Sequence, residues 1–136
     1  MPASFVDTNV LLYLASETSA KADRAETIIK GGDTSISVQV LNELSNVARR
    51  KMRLTWAETR NFLALVRGLL RVHPITVEVH ETAIDLAERY GLAVYDAMIV
   101  GSALHAGCDT LWSEDMQHGM LIEGRLRISN PFGAGA

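Results

Sequence analysis

The sequence predicts an α/β protein in which a mostly parallel β-sheet is covered by helices on both faces. Short apolar strand signals alternate with helix signals along the chain, which is the pattern of successive βαβ units. The 136 residues suit a single domain, and a hydrophobic fraction of 48% is enough to form one core. We expect that domain to cover residues 1–132 and the small-residue tail 133–136 to be disordered.

The first half of the chain contains two predicted strands and three predicted helices. Gly31 and Gly32 end the second helix. The third helix has Val40, Leu44 and Val47 at helical spacing, so one of its faces is apolar. In order, the predicted elements are strand 4–6, helix 9–14, helix 20–30, strand 34–38 and helix 39–50.

The second half contains three predicted helices and three predicted strands. Thr55 and Glu58 form a capping-box sequence, which favours a helix start. Pro74 restricts its strand to an edge or an end of the sheet. The residues after Asp96 are apolar on every side of a helix, which predicts a buried helix. In order, the predicted elements are helix 55–70, strand 71–75, helix 76–90, helix 96–106, strand 109–112 and a last strand 126–129.

Four acidic residues lie where predicted strands and helices meet: Asp7, Glu43, Asp96 and Asp115. In an open α/β sheet, ligands bind at the carboxyl ends of the strands. Carboxylates gathered there repel one another unless a cation intervenes. Since no His or Cys supports these acids, the oxygen donors favour Mg²⁺ or Mn²⁺. The pattern therefore predicts a metal-dependent site and phosphodiester chemistry.

Each acid also has a plain structural explanation. Asp7 and Asp96 are both placed to cap a helix, Glu43 relieves a helix dipole, and Asp115 can begin a turn. These structural explanations would require four independent coincidences at the same end of four elements, however, so the joint pattern favours a site. Glu114 is expected to face solvent and is left out of it.

Composition limits the compartment and the partners. A single cysteine, Cys108, excludes an intramolecular disulfide, and the first residues lack a signal-peptide pattern, so we expect a cytoplasmic protein. No apolar run has the length of a membrane span, and we expect no membrane partner. The net charge is −3, yet once four acids are assigned to the site the remaining 12 balance 13 Lys and Arg. Charge therefore neither supports nor excludes a nucleic-acid partner.

Four segments together resemble a known family: Val6-Asp7-Thr8-Asn9, Asn42-Glu43, Tyr95-Asp96-Ala97 and the run from Trp112 to Gly119. In order and spacing they resemble the PIN domain, and most of all the VapC family of toxin nucleases from bacterial type II toxin–antitoxin modules. The resemblance covers nearly the whole chain. No single motif is specific, but the ordered set is.

The resemblance implies a three-layer α/β/α sandwich and a PIN-like endoribonuclease in which a metal-activated water hydrolyses RNA. It implies an Mg²⁺ site, in which Mn²⁺ can substitute, formed by four catalytic carboxylates. Of these, Asp7 and Asp96 are expected to bind the metal directly, and Glu43 and Asp115 to complete the site. The resemblance further implies inhibition by a cognate antitoxin and a homodimer.

Several neighbouring residues have two interpretations. Thr8, Asn9 and Ser113 match small polar positions that orient the carboxylates. Arg49, Arg50 and Lys51 form a basic cluster that is either a solvated helix end or an RNA phosphate contact. His118, close to Asp115 in sequence, either contacts RNA or is structural. Trp56 is expected to pack, or to lie in a partner interface.

Two other functions fit the sequence less well. A non-catalytic RNA- or protein-binding PIN-like module should tolerate loss of its acids, and the four acids argue against it. An α/β phosphohydrolase of small phosphate esters should have a second Asp two residues after its nucleophile. Asn9 occupies that position after Asp7, which fits this class poorly.

Overall fold

A computed structural model describes residues 3–15 and 19–133 of the chain. Of the predicted disordered tail, residues 134–136 lie outside the described residues. The elements are β1 (Ser4–Val6), α1 (Thr8–Leu12) with a 3₁₀ turn (Tyr13–Ala15), α2 (Ser19–Lys30), β2 (Thr34–Ser37), α3 (Val38–Arg50), α4 (Trp56–Leu69), β3 (Arg71–His73), α5 (Val77–Tyr90), α6 (Val94–His105), β4 (Thr110–Trp112), β5 (Leu121–Ile122) and β6 (Leu126–Ser129).

The strands form one mostly parallel six-stranded sheet in the order β3-β2-β1-β4-β6-β5, which confirms the predicted fold class. Only β5 is antiparallel, and it pairs with β6. Strands β2 and β3 lie successively on one side of β1, and β4 pairs with β1 on its other side. The strand order therefore reverses between β1 and β4, and ligands bind outside the carboxyl ends of strands at such a point.

Helices cover both faces of the sheet. Phe5 and Val6 are consecutive on β1, so their side chains point to opposite faces, and both are 0% exposed. All four residues of β2 are buried as well. Burying an apolar side chain such as Phe5, Val6 or Ile36 contributes roughly 1.5–3 kcal/mol. Since neither face of the central strands meets solvent, the protein has the three-layer arrangement that was expected.

The helix ends agree with most sequence signals. The capping box of α4 is present, with Thr55 Oγ1 accepting from Glu58 N at 3.0 Å and Glu58 Oε1 accepting from Thr55 N at 2.8 Å. Helix α5 ends at Gly91 in the left-handed conformation. Strand β3 is an edge strand, as Pro74 predicted. None of the described helices is long and apolar enough to cross a membrane.

Two predictions about elements were wrong. Helix α6 begins at Val94 rather than at Asp96, and its N-cap, Ala93, makes no side-chain hydrogen bond. Asp96 is therefore inside the first turn and does not cap the helix. Strand β5 was not predicted, because two residues are too few to carry an alternating pattern and pairing with β6 holds them in place.

Candidate functional site

The four predicted acids line one open cleft of about 310 Å³ at the carboxyl ends of β1 and β4. Asp7 and Asp115 meet because parallel strands end at the same edge of a sheet. Glu43 and Asp96 come from the first turns of α3 and α6, which begin beside that edge. The full lining is Asp7, Thr8, Asn9, Leu12, Glu43, Asn46, Val47, Asp96 and Asp115.

Asp7 follows β1 directly and is 7% exposed. Its Oδ1 accepts a 2.7 Å hydrogen bond from Thr8 N, which caps α1. Its Oδ2 accepts from Ser113 Oγ at 2.8 Å and from Asn9 Nδ2 at 3.2 Å. The structural and the functional interpretation of Asp7 are thus compatible, since one oxygen caps a helix and the carboxyl group still lines the cleft.

The charge state of Asp7 reflects its surroundings. The pKa of Asp7 is raised to about 6, mainly by burial and to a smaller extent by the nearby carboxylates of Glu43 and Asp96, while hydrogen bonds from Ser113 and Thr8 oppose the rise. A buried acid among like charges is a place where a cation would be stabilised.

Glu43 lies on α3 and is held at both oxygens. Thr8 Oγ1 donates a hydrogen bond to Oε1, and Gln39 Nε2 donates to Oε2 at 3.3 Å. Gln39 Nε2 also donates to the carbonyl of Tyr95 at 3.1 Å, which joins α3 to α6 beside the cleft. Gln39 was missed in the sequence, although its spacing of four residues before Glu43 places the two side chains on the same face of a helix.

Asp96 and Asp115 form the exposed side of the cleft. Partial burial raises the pKa of Asp96, and the carboxylates of Asp115 and Glu43 add to the effect. Asp115 Oδ2 accepts a 3.0 Å hydrogen bond from Asn9 Nδ2, the same amide that contacts Asp7. Asn9 therefore bridges the acids that follow β1 and β4.

Ser113 is fully buried beneath these acids. Its hydroxyl donates to Asp7 Oδ2 and accepts from the backbone N–H groups of Asp115 and Met116, both at 3.3 Å. The structure thus places all three predicted orienting residues, Thr8, Asn9 and Ser113, in direct contact with an acid of the cleft.

The donor atoms of the cleft are those that a hard cation prefers, but its four described acidic side chains are not positioned around a common point. Its acids offer oxygen donors, and no His or Cys lines it, as Mg²⁺ and Mn²⁺ prefer. In the described ranges, however, no three His, Cys, Asp or Glu side chains are arranged to hold a metal ion as they stand. The carboxylates instead accept hydrogen bonds from Thr8, Asn9, Gln39 and Ser113.

The expectation that Glu114 faces solvent was wrong. Glu114 is half-buried. Its Oε1 accepts a 2.8 Å hydrogen bond from the Tyr13 hydroxyl, and its Oε2 lies 2.7 Å from Lys21 Nζ. Its partners lie far away in sequence, which is why local pattern did not identify the contact.

The basic cluster lies away from the cleft lining. Arg49 Nη1 donates to the carbonyl of Leu54 at 2.6 Å, and its guanidinium lies 4.1 Å from the ring centroid of Trp56. Arg49 is thus engaged in a structural contact, and Trp56 packs on it while staying 58% exposed. Arg50 and Lys51 are exposed.

His118 is exposed, and its Nδ1 accepts a 2.9 Å hydrogen bond from Asn130 N. It does not line the cleft. This hydrogen bond gives Nδ1 a structural role, and Nε2 is the ring nitrogen to which the RNA-contact interpretation applies.

Comparison with known proteins decides the family. Residues 4–118 match the sequence model of the PIN domain. This chain belongs to the PIN domain family. The resemblance to the PIN domain noted in the sequence is thereby confirmed.

Solved structures similar to this PIN domain include toxin–antitoxin complexes. A toxin–antitoxin complex from Klebsiella pneumoniae matches with a TM-score of 0.73 at 21% identity, over 97% of this chain and 100% of that chain. VapBC2 from Rickettsia felis, bound to a DNA fragment of its promoter, matches with a TM-score of 0.70 at 19% identity, over 94% and 98%.

A third similar structure is described as a toxin that cleaves the sarcin–ricin loop, VapC20 of Mycobacterium tuberculosis. It matches with a TM-score of 0.66 at 20% identity, over 80% of this chain and 87% of that chain. At these identities the likeness shows a shared fold. No curated protein sequence matches this chain significantly.

Proposed function

We propose that this PIN domain, over residues 1–132, is an Mg²⁺- or Mn²⁺-dependent endoribonuclease and the toxin of a toxin–antitoxin module. The observation that carries the proposal is the convergence of Asp7, Glu43, Asp96 and Asp115 on one cleft at the strand-order reversal of the sheet. Structural similarity to a sarcin–ricin loop-cleaving toxin supports the choice of RNA as substrate.

In this proposal Asp7 and Asp96 bind the metal directly, while Glu43 and Asp115 complete the site or act through water. When bound, the metal lowers the pKa of a water molecule and offsets charge on the phosphate that is cleaved. The product ends implied by the family are a 5′-phosphate and a 3′-hydroxyl.

The polar residues around the acids orient them. Ser113 and Asn9 fix Oδ2 of Asp7, and Thr8 N fixes Oδ1, so the carboxylate plane is set before any ligand arrives. Asn9 also holds Asp115. Such fixed orientation lowers the cost of organising ligands around a metal.

The remaining parts of the proposal concern partners. The Klebsiella and Rickettsia structures contain toxin–antitoxin complexes, which supports a cognate antitoxin for this chain. The proposal also includes a homodimer, which the family implies, and a cytoplasmic location, which the composition predicts. RNA contacts are assigned to Arg50 and Lys51, which are exposed, and to Arg49 and His118 once their present contacts yield to the substrate.

A second candidate is a non-catalytic RNA- or protein-binding PIN module. The observation in its favour is that, within the described residues, the acids are not arranged to hold an ion as they stand. In such a module the acids would serve local structure, as Asp7 does in capping α1.

Cleavage of a structured RNA pool separates these candidates. Wild type is expected to cut in Mg²⁺ and to stop in EDTA, and Asp7→Asn, purified identically, is expected to be inactive while folded. Equal Mg²⁺-dependent activity in Asp7→Asn would contradict the assigned site. Hydrolysis of small phosphate esters without RNA cleavage would instead indicate a phosphohydrolase.

A further inference from the structure

A second set of contacts holds the loop that carries Asp115, outside the acidic cleft. The Tyr13 hydroxyl donates to Glu114 Oε1 at 2.8 Å, and Lys21 Nζ lies 2.7 Å from Glu114 Oε2. Lys21 Nζ also donates to the Tyr13 hydroxyl at 3.0 Å and lies 4.8 Å from the centroid of that ring. We call Tyr13, Lys21 and Glu114 the latch.

Phe132, which follows β6, packs against two residues of the latch. Lys21 Nζ lies 5.3 Å from the ring centroid of Phe132, and the rings of Tyr13 and Phe132 meet edge to face at 4.9 Å. The Lys21 side chain is thus surrounded by two rings and a carboxylate while still 38% exposed. It joins α2 to the loop after β4.

The backbone of Glu114 connects the latch to the acids. Glu114 N donates to Asn9 Oδ1 at 3.0 Å. The Nδ2 of the same amide donates to Asp115 Oδ2 at 3.0 Å and to Asp7 Oδ2 at 3.2 Å. Glu114 is therefore held at its side chain and its backbone, and it immediately precedes Asp115.

We propose that the latch is a positioning device for the metal site, which fixes the loop so that Asp115, and through Asn9 also Asp7, keep the orientation needed to bind a divalent cation. The inference rests on the proposed function. Half-exposed ion pairs contribute little to stability, so the main consequence of the latch is geometric. Asp115 is an exposed side chain on a loop, and among the described residues Asn9 and Ser113 are the ones whose side chains hydrogen-bond to it.

Mn²⁺ binding to the full chain, measured by calorimetry without RNA, tests the latch. Lys21→Met and Glu114→Gln should each raise the Kd for Mn²⁺ by about tenfold, as removing outer supports of metal ligands does. Lys21→Arg should restore most of the affinity. The matched control is Lys30→Met, which removes a 2.6 Å ion pair with Glu26 on the same helix and should leave the Kd unchanged.

The outcomes separate the latch from its alternatives. If wild type binds no Mn²⁺, the metal site of the proposed function fails and the latch fails with it. If wild type binds Mn²⁺ and both latch variants bind as tightly, the latch alone is overturned. Loss of RNA binding in Lys21→Met with unchanged Mn²⁺ affinity would show that Lys21 contacts RNA instead. Tyr13→Phe, which removes one hydroxyl, provides the same measurement if Lys21→Met does not fold.

Discussion

Asp7 combines two roles that its position in the sequence suggested separately. It caps α1 through Thr8 N and it lines the acidic cleft. Its burial next to Glu43 and Asp96 opposes ionisation. In the absence of a cation, the ionised carboxylate therefore destabilises the folded protein, and this cost depends on pH.

Relative to wild type, metal-free Asp7→Asn should gain stability as the pH rises from 4 to 7. The unfolded carboxyl ionises near its ordinary pKa of 3.8 and the folded one near 6, so the folded state holds more protons between these values. Wild-type stability should thus fall as pH rises through this window and then level off. Asp7→Asn should lack this loss, which amounts to on the order of 3 kcal/mol.

Urea unfolding in EDTA at several pH values measures this difference. Asp85→Asn, an exposed acid on α5, is the control and should track wild type. If the gap between Asp7→Asn and wild type is the same at pH 4 and pH 7, Asp7 does not titrate near 6 in the folded protein.

Two buried serines offer a matched pair of substitutions. Ser113→Ala should cost about 1–3 kcal/mol, because it removes one of the two donors to Asp7 Oδ2 and takes the Ser113 hydroxyl away from two backbone N–H groups. Among the described residues, Ser102 Oγ is buried and has no hydrogen-bond partner, so Ser102→Ala should be neutral or stabilising. Equal losses in the two variants, measured by urea unfolding, would show that the hydrogen bonds of Ser113 do not matter.

Sequence position indicated the acids and three of their partners, Thr8, Asn9 and Ser113, but neither Gln39 nor the contacts of Glu114. Asp7 directly follows β1 and Asp115 lies three residues after the end of β4, so their approach could be inferred from the strand ends. Glu114 was assigned to solvent because its partner Tyr13 is 101 residues away in sequence. No local pattern reports a contact of that range, and the same limit applies to the bond between Gln39 and the Tyr95 carbonyl.

At the scale of elements, prediction succeeded where the chain carries explicit end signals. The capping box starts α4 and a left-handed glycine ends α5. Helix α6 was placed two residues late because Ala93 is not a usual N-cap residue and offers no side-chain oxygen. The helix was predicted to start at Asp96 because Asp96 has such an oxygen, but its side chain lines the cleft instead.

Alanine substitutions at two glycines should change stability with opposite signs, and together they test the helix geometry. Gly91, which follows α5, has φ +70°, so Gly91→Ala should cost about 1–2 kcal/mol. Gly68 lies within α4 with open space where a Cβ would point, and Gly68→Ala should stabilise by about 0.5–1 kcal/mol. Thermal unfolding measures both effects. A stabilising Gly91→Ala would contradict the left-handed end of α5.

At the scale of the whole molecule, the position of the site follows from the strand order. Alternating strand and helix signals predicted a parallel sheet, and β4 beside β1 brings two acid-bearing strand ends together. The final arrangement of the carboxylates did not follow from the sequence, because like charges and competing hydrogen bonds decide where each side chain settles. The central claim is that these four acids together bind one or two divalent cations.

Linkage between Mg²⁺ and stability tests that claim most directly, because it needs no knowledge of the RNA target. At a Mg²⁺ concentration of 100 times Kd, wild type and the control Asp85→Asn should both gain about 2.7 kcal/mol of unfolding free energy. Asp7→Asn, Glu43→Gln, Asp96→Asn and Asp115→Asn should each gain clearly less at the same concentration. Equal gains in all six proteins, or no gain in wild type, would contradict a shared metal site in this cleft.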